Sequence, residues 1–181
     1  MLLETPIVQL GQKAPRFSLP NLDGTLITSE SAMGENGLVV AFICNHCPYV
    51  KAIAKDLSAD ARVLATAGIS LVGIMSNDYQ RHSADSPARM REFASQHDFD
   101  FPYLLDEDQS VAKAYGAVCT PDFFGYDGEG KLQYRGRLDN GNVRRPENRR
   151  AELVEAMKQI ADSGITPSDQ KNSIGCSIKW R

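Results

Sequence analysis

An α/β fold, a central mixed sheet flanked by helices, is what the sequence predicts, and three features predict it. Two unbroken apolar runs, Leu38 to Ile43 and Ile69 to Met75, read as central strands buried on both faces. Between them Val50, Ile53, Leu57, Ala61 and Leu64 recur at spacings of three and four, the period of a helix, which stops at Gly68. Strand, helix and strand in that order make a right-handed crossover with the strands parallel.

The remaining elements follow in chain order. Gly11 to Thr28 alternates apolar residues on both sides of Asp23-Gly24, which predicts an N-terminal hairpin kept at an edge by its prolines. Ser86-Pro87 opens a helix whose face is Met90, Phe93, Ala94 and His97. Phe101 to Leu105 and a helix over Asp108 to Tyr115, closed by Gly116, complete a helix/strand insertion. Phe123 to Tyr126 and Leu132 to Arg135 flank the turn Asp127-Gly128-Glu129-Gly130 and predict a second hairpin. The last long helix carries Leu153, Val154, Met157, Ile160 and Ala161 and ends at Gly164. Arg144, Arg145, Arg149 and Arg150, diluted by Glu147 and Glu152, read as a solvated loop and helix start. The length of 181 residues suits one domain over 1–181, with 166–181 as a C-terminal tail.

Composition narrows the function. A net charge of -3 argues against a phosphate-binding surface, so no nucleic-acid partner is expected. The longest apolar stretch, Leu38 to Cys44, is too short to span a bilayer, so no membrane partner is expected either. Met1-Leu2-Leu3-Glu4-Thr5-Pro6 has no basic start and no sustained apolar run, which points to the cytoplasm. Thiols stay reduced there, and four cysteines are then catalytic or metal-binding rather than structural staples.

The chemistry concentrates where the first strand ends, in Cys44-Asn45-His46-Cys47-Pro48. Two intervening residues let both sulfurs meet across a first helical turn. Cys44 is expected at the helix N-terminus as the thiolate nucleophile, and Cys47, one turn inward, as the resolving thiol. His46, with Asn45 the modulating pair between them, would favour the Cys44 thiolate if cationic. Metal binding by Cys44, His46, Cys47 and Cys176 lacks a second closely spaced ligand pair, so neither metal nor cofactor is expected.

Cys44-Asn45-His46-Cys47-Pro48 together with Cys119-Thr120-Pro121 resembles the thioredoxin-like superfamily. Gly11-Gln12-Lys13-Ala14-Pro15-Arg16-Phe17-Ser18-Leu19, followed by Asp23-Gly24, resembles its redoxin branch, which includes the alkyl hydroperoxide reductase and thiol-specific antioxidant family. Thr120-Pro121-Asp122-Phe123-Phe124 and Ser173-Ile174-Gly175-Cys176 are similar to segments of a group of bacterial thioredoxin-family proteins. The resemblance implies a thioredoxin-like fold and thiol–disulfide exchange with a disulfide-containing protein or a small thiol or disulfide. It also implies that Thr120-Pro121 faces the dithiol as a substrate platform, with Pro121 in cis and the Thr120 backbone open to strand-like contact.

Thiol peroxidase activity toward a hydroperoxide is the alternative, and a redox-sensing or metal-binding module a third reading. Peroxiredoxins carry Pro-x-x-x-Thr-x-x-Cys, whereas counting back from Cys47 gives Cys44 and Val40, and from Cys44 gives Ala41 and Gly37. Thioredoxins place a buried acid six residues before the first cysteine, where this chain has Leu38. Cys119 and Cys176 form a candidate second redox pair if the tail folds back with Trp180 as anchor; two unpaired buried cysteines are the other reading.

Overall fold

The computed structural model describes residues 1–6 and 9–181. In chain order the elements are β1 (Leu2–Glu4), β2 (Ser18–Pro20), β3 (Leu26–Thr28), α1 (Ser29–Ala32), β4 (Gly37–Phe42), α2 (Pro48–Thr66), β5 (Ile69–Met75), α3 (Pro87–Gln96), β6 (Tyr103–Leu105), α4 (Ser110–Tyr115), β7 (Cys119–Thr120), β8 (Asp122–Asp127), β9 (Leu132–Gly136), α5 (Glu152–Ser163) and β10 (Ile174–Ser177).

The main sheet has the order β6-β5-β4-β8-β9. β4 runs parallel to β5 and β5 to β6, while β8 pairs antiparallel with both β4 and β9. β4 is central, and its alternate side chains feed two separate cores. Val39 and Ala41 meet α2, α3 and α5 on one face; Leu38, Val40 and Phe42 meet α4 and the N-terminal hairpin on the other. That two-sided demand explains why β4 reads as a continuous apolar run. Gly125 in β8 is required by the same packing, because a Cβ there would stand 2.3 Å from the Met157 sulfur of α5.

The N-terminal hairpin is shorter than its sequence pattern. Only β2 and β3 pair, and the segment before them instead bonds to the β8–β9 turn, through Gly11 N–H to Leu132 O and Ala14 N–H to Gly130 O. The C-terminal segment departs further from expectation. β10 is the middle strand of a second sheet, between β1 and β7. Ile178, buried in the second core, is its apolar anchor, while Trp180 stays exposed with the Lys113 ammonium 5.8 Å over its ring. Among the described residues no helix is long and apolar enough to cross a membrane.

Candidate active site

β4 ends at Phe42 and α2 begins at Pro48, so the turn between them carries both neighbouring thiols on the rim formed by the strands' carboxyl ends. The helix start corrects one expectation. Cys47, not Cys44, occupies the N-cap, with Pro48 in the first turn where no backbone donor is lost. Cys44 lies upstream in the turn. Neither residue reaches solvent, at 1% and 0% exposure.

Thr120 is the point on which the sulfurs converge. Its Oγ1 is 3.2 Å from Cys44 Sγ, and its carbonyl oxygen is 3.1 Å from Cys47 Sγ, which donates to it as a thiol. The Thr120–Pro121 peptide is cis. Behind it, Asp122 is fully buried and ion-paired to Arg135 at 2.8 Å, and the Arg135 guanidinium also lies over the Phe124 ring. Burial raises the Asp122 carboxyl to about 6 even against Arg135.

The two adjacent thiols share protons unequally. The Cys44 S–H donated to Cys47 is the main influence pushing Cys47 well below the ordinary thiol range, against the cost of burial; the Val50 N–H and the N–H and S–H of Cys176 add to it. The Thr120 carbonyl, 3.1 Å from Cys47 Sγ, favours the Cys47 thiol instead. The same hydrogen bond, with burial and the Asp85 charge, pushes Cys44 well up. The two shifts run in opposite directions, favouring the anion at Cys47 and the thiol at Cys44.

Asp85 is the residue that sequence reasoning missed. It ends a short 3-10 turn, Ser83–Asp85, and is wholly buried. Its carboxylate accepts from the Asn45 N–H at 2.8 Å, the Asn77 side-chain amide at 2.8 Å and His46 Nδ1 at 2.6 Å. Burial opposes its ionisation, but the bonds from His46 and Asn77 outweigh it and hold the carboxyl below its usual value. Any positive charge on His46 is thus shared with Asp85 rather than directed at Cys44 alone. Asn45 is equally committed: its amide donates to Ala84 O and its carbonyl accepts from Tyr103 Oη. Nothing in the spacing of Asp85 announced this role; it follows from a turn closing about forty residues downstream.

The cluster also bears on metal binding. Donor atoms of Cys44, His46 and Asp85 lie within 4.8 Å of one another and are the set that could hold an ion among the described residues. A cation there would compete with the His46–Asp85 hydrogen bond.

The remaining site residues are placed as follows. Cys176 stands opposite Thr120 in the β10–β7 ladder, and Ser177 opposite Cys119. Directly paired residues share a face and consecutive ones alternate, so Cys119 and Cys176 lie on opposite faces. The expected Cys119–Cys176 pair is corrected accordingly: Cys176 adjoins Cys47, while Cys119 points its sulfur toward Pro121 O at 3.8 Å, and burial raises it to about 12. The Thr120 edge is likewise not open to an incoming strand, because β10 already pairs with it. Gly175 permits this approach, since a Cβ at that position would lie 2.0 Å from Thr120 O.

A cavity of about 250 Å³ opens beside the turn, lined among others by Tyr49, Pro121, Leu138, Ser173 and Ile174. The polar segment bordering it is not the solvated basic loop its composition suggested. Arg145 bonds Asp139 and Asp56, and Arg149 bonds Asp139 and Asp60, tying 138–150 to α2. Asp56 and Asp60, one turn apart on α2, supply the charge that the arginines need.

Residues 10–135 match the family model described as the AhpC/TSA family, about two thirds of the chain. The chain belongs to the AhpC/TSA family. Its fold is thioredoxin-like, and its chemistry is thiol-based redox chemistry. Among curated relatives, the peroxiredoxin Bcp of Escherichia coli is 29% identical over 129 residues, covering 70% of this chain and 78% of that protein. A crystal structure of an uncharacterized conserved protein from Geobacillus kaustophilus superposes with a TM-score of 0.95 at 40% identity, covering 100% of this chain and 97% of the other. The thioredoxin domain of a thiol-disulfide oxidoreductase from Bacteroides vulgatus shares the fold at a TM-score of 0.67 and 16% identity, over 86% of this chain and 100% of that domain.

Proposed function

We propose that this protein is a thiol–disulfide oxidoreductase that works through a reversible Cys44–Cys47 disulfide. The observation that carries the reading is the convergence of both sulfurs on Thr120, with Cys47 the sulfur of the pair whose ionisation its neighbours favour. Cys47 attacks one sulfur of a disulfide substrate; the S–S bond breaks, a mixed disulfide forms on Cys47, and the first substrate half leaves as thiolate. Cys44 then attacks the Cys47 sulfur, releasing the second half, which takes up the proton that Cys44 gives. Asp85 and His46 are the nearest groups able to carry that proton. This exchanges the roles assigned to the two cysteines from sequence, because the helix cap belongs to Cys47.

Thr120 positions the sulfurs and Pro121 walls the adjacent cavity, while β10 occupies the neighbouring strand edge. The substrate class is accordingly a small disulfide, or the disulfide of a protein presented at a narrow loop, in a reducing cytoplasmic setting. The reading is tested by dithiothreitol-driven reduction of hydroxyethyl disulfide. Cys47→Ser should fall to the uncatalysed rate and Cys44→Ser should be strongly slowed; full turnover by Cys47→Ser would end the assignment.

A second reading has its own support, the lowered Cys47 thiol combined with relatives named peroxiredoxins. In it Cys47 attacks a hydroperoxide, giving a sulfenic acid and an alcohol, and Cys44 condenses with that acid to release water. The hydroxyl within reach, Thr120 Oγ1, sits on Cys44 rather than on Cys47. Peroxide consumption by the reduced protein, orders of magnitude faster than by a free thiol, would promote this reading.

A further inference from the structure

We propose that Cys176 is a third redox thiol of this site, exchanging with Cys44 for a bond to Cys47 and so passing oxidation from the turn to the C-terminal strand. The inference rests on the reversible Cys44–Cys47 disulfide proposed above and adds where that disulfide goes next.

Three placements carry it. Cys176 is in register with Thr120, the residue whose carbonyl lies 3.1 Å from Cys47 Sγ. Gly175 brings β10 closer to Thr120 O than any side chain would permit. Cys176 is only partly buried and packs against the core that includes Cys44 and Cys47. Two sulfurs of the 44–47 turn therefore contact Thr120 and a third thiol, Cys176, stands opposite it in the ladder, with Cys47 common to both prospective bonds.

The strand is also tied to the rest of the site. Asn77, which donates to Asp85, accepts the Lys179 N–H through its side-chain oxygen at 2.8 Å. Gln109 accepts from the Arg181 N–H and donates to Lys179 O, so the end of the chain is fastened on both sides of Lys179. β10 is consequently held in place before any oxidation occurs, and a new bond from Cys176 requires no folding of a loose tail.

The exchange balances without an external oxidant. The Cys176 thiolate attacks Cys47 Sγ; the Cys47–Cys176 bond forms as Cys44–Cys47 breaks, and Cys44 leaves with the electron pair and takes the proton Cys176 lost. The order of events has a physical basis as well. In the reduced protein, burial first and then the bond to the Cys47 sulfur hold Cys176 as a thiol, at about 11. Once Cys47 is in a disulfide its charge is gone, and the second of those influences goes with it.

The test uses the full chain, oxidised with diamide or with hydroxyethyl disulfide, quenched in acid, alkylated, and mapped by peptide mass spectrometry. Wild type should contain both the 44–47 and 47–176 linkages. Cys44→Ser should form the 47–176 linkage alone, and Cys176→Ser the 44–47 linkage alone. Gly175→Ala, which must part β10 from Thr120 O, should lower the 47–176 yield at least roughly tenfold while sparing 44–47. Cys176 alkylated as fully in oxidised wild type and Cys44→Ser as in the reduced protein would overturn the proposal, as would an undiminished 47–176 yield in a folded Gly175→Ala. The readout is separate from turnover. Reduction of hydroxyethyl disulfide with Cys176 always free keeps the oxidoreductase and removes the relay; a 47–176 bond formed by diamide without substrate turnover keeps the relay and removes the oxidoreductase.

Discussion

The turn at 44–47 and the strand at 174–177 both bring sulfur to Thr120, yet they arrive there by opposite means. The turn is local: a buried strand delivers it, a helix cap fixes Cys47, and the two thiols are near each other because two residues separate them. The strand is nonlocal. Its position depends on a ladder to β1 at the other end of the chain, on a glycine that allows contact with Thr120 O, and on Asn77 and Gln109 holding the residues after it. The difference teaches that reactivity belongs to the turn and access belongs to the strand. One decides which sulfur is a thiolate, the other what can reach it.

Perturbing each side should separate these contributions. The largest effect is expected at the turn itself, where Cys47→Ser removes the thiolate and should reduce dithiothreitol-driven turnover to background, with folding checked by circular dichroism. Next is the support beneath the Thr120 platform. Asp122→Ala leaves the Arg135 charge buried without its partner and should cost about 3–5 kcal/mol in urea unfolding. A loss below about 1 kcal/mol would mean that Arg135 finds water.

Asp85→Ala comes third. It orphans donors from Asn45, His46 and Asn77, so a loss of about 2–3 kcal/mol is expected, with Asp85→Asn recovering part of it. Because Asn77 also holds Lys179, this variant should loosen the strand as well as the turn, seen as faster amide exchange at residues 176–179. Arg149→Ala, in the network that fastens 138–150 to α2, should cost about 1–2 kcal/mol, since Asp139 keeps Arg145 while the buried Asp60 loses its guanidinium partner.

The smallest effect is a shift in a pH profile. With the Cys47 pKa lowered, iodoacetamide alkylation of the reduced protein should keep its rate as pH falls below about 8.5, the free-thiol value, and decline only when pH passes the lowered value. Cys44→Ala removes the leading cause of that lowering and should move the decline upward. An unmoved profile would mean that backbone N–H groups, not the neighbouring thiol, hold the anion.

Much of the turn was legible because its determinants are short-range. Apolar runs placed β4 and β5, the period of three and four placed α2, and resemblance placed Thr120 and Pro121 beside the dithiol. The one local error, Cys44 at the helix start, came from treating the motif as already helical; Pro48 at the first helical position puts the cap at Cys47. What could not be read was everything that depended on distant closure. Asp85 carries no signature because the donors to its carboxylate come from two distant segments, Asn45-His46 and Asn77. Ile174 to Ser177 is too short for a period to show, and its partner strands have three and two residues. Arg145 and Arg149 look solvated until Asp56 and Asp60 of α2 are seen opposite them.

The measurement that bears most directly on the central claim is a titration of the Cys44–Cys47 couple in glutathione buffers, with each cysteine's state read by mass spectrometry after alkylation. The account predicts an intramolecular disulfide in which Cys47 always takes part, forming and reopening reversibly as the glutathione ratio is varied. Cys44 and Cys47 each remaining free, or each carrying separate glutathione adducts with no bond between any two protein sulfurs, would contradict it.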